Sequence, residues 1–160
     1  MHTNSLDVRL LENSLDFRPR KWAGRLLGAG CYPYAANFYY EKFIKIGELI
    51  GEPCGMKTPD HELIFILWKE LLYLGYKSVR EVQTDYIVQP GELKIYLRRV
   101  DQLGMYHLFR QNSDGLWSHK YRNKLPSERD SYQDLLINPA NQKSKEGFTY
   151  HGWCFLLNRD

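Results

Sequence analysis

The spacing of apolar positions changes partway along the chain. In Thr58-Pro-Asp-His-Glu and the run after it, Leu63, Ile64, Ile66, Leu67, Leu71 and Leu74 recur three and four apart. That spacing predicts a helix with one broad apolar stripe. Thr58 would be its N-cap, Pro59 its first residue and Gly75 its C-cap. His61, in the first turn, is expected at the surface. From Val79 onward the period shortens to two. Val79 to Val82 and Tyr86 to Val88 are short strand candidates, broken by Gln89-Pro-Gly91. Leu93 to Val100 alternates apolar and basic residues, as a half-buried strand does. Asp101 to Gly104 reads as a turn. Tyr106 and Leu108, then Asp114-Gly115, then Leu116 and Trp117 read as a hairpin. Tyr121 to Asp134 is polar and reads as a surface excursion. Leu135 to Pro139 reads as a brief strand, and Phe148 to Leu157 as a final one.

The first part of the chain is less regular. Leu6, Val8, Leu10, Leu11 and Leu15 predict a short strand or helix packed on the body. Gly24, Gly28 and Gly30 make a turn-rich approach to Cys31 that lacks the phosphate-loop pattern. In Cys31-Tyr-Pro-Tyr-Ala-Ala, Pro33 is tolerated only in the first turn of a helix, and Ala35 and Ala36 favour one. A helix is therefore expected from Tyr32 or Pro33, with Cys31 at its N-cap or first position. Helices first and strands second predict an α+β domain.

Composition narrows the class of partner. The chain has 160 residues, 43% hydrophobic and 26% charged, and a net charge of +3. This is the composition of a soluble single domain, with 1–20 as an extension packed on it. The charge is too small and too evenly spread to argue for nucleic acid. No apolar run reaches membrane-spanning length, and no signal-peptide pattern stands at the start. The three cysteines, Cys31, Cys54 and Cys154, do not form a disulfide framework. A reducing cytoplasm is expected, or export without a cleaved signal.

The chemistry concentrates in three residues. A thiol at a helix start receives free N–H groups and the positive end of the helix, which lower its pKa. His107 and His119 flank the Asp114-Gly115 turn, on the two arms of the hairpin. This is the order for nucleophilic catalysis: Cys31 attacks, His107 takes the proton, and His119 fixes the ring of His107. Asn138, before Pro139, competes for the orienting role or serves as a turn former. Tyr32, Arg110, Gln111 and Trp117 are expected to line the groove. Zinc on His107, His119 and His151 is the rival use, but no His-x-x-x-His or Cys-x-x-Cys spacing supports it. No metal or cofactor is expected.

The order of Cys31, His107 and His119 resembles the NlpC-type branch of the papain-like cysteine peptidases. There a strand His is followed by a hairpin and a second His about a dozen residues on. The family usually has Asp before its Cys and Ser-Gly after; here Gly30 precedes Cys31, and Tyr32-Pro33 follow. The chain is also similar to a less characterised group of bacterial and phage proteins. Its shared marks are Cys31 to Ala35, the Tyr106 to Lys120 hairpin, Ile137 to Pro139 and Phe148 to Leu157. The resemblance implies a papain-like fold, with N-terminal helices on a mostly antiparallel C-terminal sheet. It also implies a thiol hydrolase acting on an amide: a peptide, isopeptide, cell-wall peptide or glutamine side chain. Such an enzyme could serve as a secreted effector or toxin. The alternative is a papain-like binding or immunity module with a structural Cys31.

Overall fold

A computed structural model describes residues 7–12 and 14–160; Leu6 lies outside them. Strand β1 (Arg9–Leu10) pairs with β2 (Phe38–Tyr39), and between them lies the helix α1 (Cys31–Ala35). Helix α2 spans Asp60–Leu74. Five strands follow: β3 (Ser78–Glu81), β4 (Glu92–Val100), β5 (Tyr106–Gln111), β6 (Trp117–Ser118) and β7 (Tyr150–Asn158). They form one antiparallel sheet in the order β3-β7-β4-β5-β6. The architecture is α+β, as the change of period predicts.

The stripe of α2 packs as its spacing requires, with Leu63, Ile66, Leu67 and Leu71 buried and Ile64 and Leu74 packed at their margin. They meet one face of the sheet, where Leu93, Ile95, Leu97, Leu108, Phe155 and Leu157 are buried. Gly75 caps the helix, and its N–H reaches the carbonyls of Leu71 and Leu72. The N-cap is Pro59 rather than Thr58. Thr58 Oγ1 instead accepts a hydrogen bond from the Gly55 N–H at 3.0 Å, so it closes the preceding turn. His61 is exposed.

Strand β4 differs from the half-buried strand its alternation suggests. It is the middle strand and is buried almost throughout. Its polar residues are accommodated by partners rather than by water. Lys94 Nζ donates to the carbonyls of Thr84 and, at 2.6 Å, Tyr86. Arg99 donates to Asp60 Oδ1 at 2.8 Å and to the carbonyls of Gly104 and Met56. The second face carries a smaller core of Tyr96, Phe109, Trp117, Leu136 and Cys154. Tyr86 to Val88 and Leu135 to Pro139 are not strands. The first supplies one carbonyl, that of Tyr86, to Lys94, and in the second Leu136 anchors the chain over Trp117, its N–H and carbonyl bonding Glu128 and Trp117.

Candidate active site

The register of β5 decides which side chains act together. Arg98 pairs with His107 and Arg110 with Ser118. Side chains alternate between faces, so His107, Phe109 and Gln111 share one face, and Tyr106, Leu108 and Arg110 the other. Tyr106 and Leu108 of the second set pack in the α2-facing core. Beyond β6 the chain runs on beside β5, which places His119 near Phe109 and Tyr121 near His107. The rings stack there, with centroids 5.1 Å and 4.8 Å apart. His107 and His119 are thus diagonal neighbours on one face. His107 Nε2 lies 2.9 Å from His119 Nδ1.

A backbone carbonyl sets the tautomers of both rings. His119 Nε2 is 2.7 Å from the Arg129 oxygen. A carbonyl only accepts, so His119 carries its proton on Nε2 and leaves Nδ1 as an acceptor. His107 must then donate from Nε2, and its Nδ1 keeps the lone pair. The polar excursion after Tyr121 therefore folds back on the site: Ser127 pairs with His119, and Arg129 supplies the carbonyl. Both imidazoles are buried, and burial holds each below the ordinary histidine value of 6.5; for His107 the drop is large. The charges of Arg98 and, for His107, the neighbouring imidazole add to this. His107 is a neutral base at pH 7.

Cys31 is the first residue of α1 and half-buried. Its own backbone N–H and that of Leu108 reach the thiol. The Leu108 N–H belongs to the peptide that joins it to His107. Cys31 and His107 line one cavity of about 590 Å³, with Phe43, Met56, Met105 and Tyr121 at its margin. Gly30, at φ +86°, makes the turn into α1, and a Cβ there would lie 3.0 Å from the Phe43 ring. The positive φ is what calls for glycine here.

The expectation of a lowered thiol pKa is overturned. Burial raises the Cys31 pKa, and the two N–H groups and the charges of Arg98 and Lys120 offset it only in part. A helix of five residues offers little dipole against that desolvation. The cavity is thus lined by a neutral thiol and a neutral imidazole.

Lys120 is a contributor the hairpin reading passed over. It is fully buried, and its Nζ donates to the carbonyls of Leu27 and, at 2.9 Å, Arg122. Leu27 lies in the turn Gly24–Ala29 that leads to Cys31, so Lys120 ties that approach to the hairpin. The sequence signal was a basic residue directly after a strand histidine.

The expected groove residues are elsewhere. Tyr32 is buried in the main core. Arg110 faces α1, donates to Tyr34 O at 3.2 Å and lies over the Tyr34 ring. Gln111 bonds Gly115 within the hairpin turn. Trp117 fills the second core. Alternation explains Arg110, and packing explains Tyr32 and Trp117. Asn138 is not an orienter: its Oδ1 accepts from the Ala140 N–H at 3.0 Å and caps the turn Pro139–Asn141. His151 is also apart, between Asp60 and Asp101. Cys54 and Cys154 are buried free thiols. Among the described residues no group of three or more His, Cys, Asp or Glu side chains could hold a metal ion, and no helix is long and apolar enough to cross a membrane. The chain matches no family model, no curated protein and no solved structure.

Proposed function

We propose that the chain is a thiol hydrolase of the papain-like, NlpC-type kind, acting on an amide bond through Cys31, His107 and His119. One observation carries the reading: the Arg129 carbonyl, His119 and His107 form a chain that leaves a lone pair on His107 Nδ1, and His107 lines the same cavity as Cys31. Attack and proton transfer go together, because the resting thiol is neutral. The Cys31 sulfur bonds the carbonyl carbon while its proton passes to His107 Nδ1. The Cys31 N–H is a donor for the oxyanion. The C–N bond then breaks as His107 returns the proton to the leaving nitrogen. Water, deprotonated by His107, cleaves the thioester and restores the thiol. His119 stabilises the transient imidazolium through Nδ1. The substrate is a protein or peptide, and its source is bacterial or, for a secreted effector, a host.

The second reading is a binding or immunity module with an inert Cys31, and the raised thiol pKa favours it. Alkylation with iodoacetamide at neutral pH separates the two. A hydrolase shows Cys31 modified well ahead of Cys54 and Cys154, with the rate falling at least tenfold in His107→Ala. Equal modification of the three, unchanged by His107→Ala, would sink the hydrolase.

A further inference from the structure

A second cavity, of about 520 Å³, opens beside the first. Arg98, Val100 and Tyr121 line both. Their characters differ. Around the thiol the lining is mainly apolar, with Phe43 43% exposed, Met56 60%, Met105 51% and Tyr121 44%, beside two exposed cations, Lys45 and Arg122. The second cavity is lined by Arg98, Lys124, Lys143 and Lys145 with one carboxylate, Asp130. None of these four cations is in an ion pair among the described residues. Arg98 donates to Gln142 Oε1 at 2.6 Å and lies over the Tyr150 ring, yet its buried Nε has no partner. The site therefore runs from an apolar mouth at Cys31, past His107, to a cationic recess at His119.

From this polarity, and resting on the hydrolase reading, we infer that the substrate is a peptide segment with apolar residues on the acyl side of the scissile bond and acidic residues on the amine side. The direction follows from the chemistry. The acyl carbon bonds the Cys31 sulfur, whereas the leaving nitrogen takes its proton from His107. The amine side thus points toward His119 and the unpaired cations, where carboxylates complement the charge. A nucleic acid would leave the apolar mouth unfilled and offers no acyl carbon to the thiol.

The test uses the full chain carrying Cys31→Ala, so that nothing is turned over. Binding is read by fluorescence anisotropy with labelled Leu-Leu-Gly-Glu-Glu-Glu, Leu-Leu-Gly-Ser-Ser-Ser, the reversed Glu-Glu-Glu-Gly-Leu-Leu and an oligouridine of six nucleotides. The first peptide should bind at least tenfold more tightly than the other three. Lys143→Glu with Lys145→Glu, both at exposed positions, should remove that advantage. Equal binding of the acidic and serine peptides, equal binding of the reversed peptide, tighter binding of the RNA, or indifference to the double substitution each overturns the proposal. Failure of the hydrolase reading looks different: alkylation of Cys31 becomes independent of His107 while the acidic peptide still binds.

Discussion

Two histidine sites on this sheet solve opposite problems. His107 and His119 are buried, hydrogen-bond to no carboxylate and share one proton chain that ends on a backbone carbonyl. His151 is partly exposed and sits between two carboxylates. Its Nε2 is 3.0 Å from Asp60 Oδ2, and Nδ1 bonds Asp101 Oδ1. By residue type alone, Asp60-His151-Asp101 looks more catalytic than His107-His119. It has no thiol in its cluster, and Arg99 already takes the other oxygen of Asp60 at 2.8 Å. It staples the start of α2 to the turn after β4. Under the proposed hydrolase, the comparison teaches that a base is made by a committed tautomer and an open lone pair, not by the number of carboxylates around a ring.

The largest effect that tests this contrast is on turnover. His107→Ala should lower kcat/KM on an amide substrate by about 10²–10⁴-fold, the usual worth of a general base. His151→Ala should leave it within about twofold; equal losses would erase the distinction. His119→Ala should cost on the order of 10–100-fold, in line with removal of an outer partner that orients a functional histidine. His119→Gln, which can still accept from His107 Nε2, should recover part of that loss in kcat with KM unchanged.

A smaller effect concerns stability near the thiol. Lys120→Met leaves several carbonyls without their buried donor and should cost about 1–3 kcal/mol in urea unfolding. It should also loosen the approach to Cys31, which peptide hydrogen exchange over 24–31 would register. No change in either would mean that the lysine is dispensable.

The pH dependence sharpens the comparison further. His107 and His119 are held below 6.5 when folded. Unfolding returns them to ordinary values, so below about pH 6.5 the unfolded chain binds more protons and stability is lost as the pH is lowered. Above that value the two rings contribute no pH dependence. Because His107 stays neutral below 6.5, kcat/KM should hold its plateau into mildly acidic buffer. A fall centred at 6.5 or above would contradict the buried neutral base. His151→Ala, the smallest effect, should change stability by about 0–1 kcal/mol, as for partly exposed ion pairs.

Periodicity carried most of the fold and part of the site. The three-and-four spacing of Leu63 to Leu74 commits that segment to a helix with one apolar face, wherever it packs. Pro33 likewise permits a helix only if it begins near Cys31. Asp114-Gly115 between strand formers commits the chain to a turn, and so brings His107 near His119. Local sterics and hydrogen bonding decide these features, and both are legible in short stretches.

What only the tertiary structure decided depends on contacts between distant segments. Burial on both faces made β4 continuous and turned Lys94 and Arg99 into interior donors, which no local pattern foretells. The one-residue alternation of β5 sent Arg110 toward α1 and His107 toward the cavity. The proton order rests on the carbonyl of Arg129, ten residues beyond His119 in a segment that reads as a polar excursion. A backbone oxygen has no residue signature. Desolvation, a property of the assembled core, reversed the expected shift of the Cys31 thiol. The sequence named the groups proposed to react; their protonation states came from what folding placed around them.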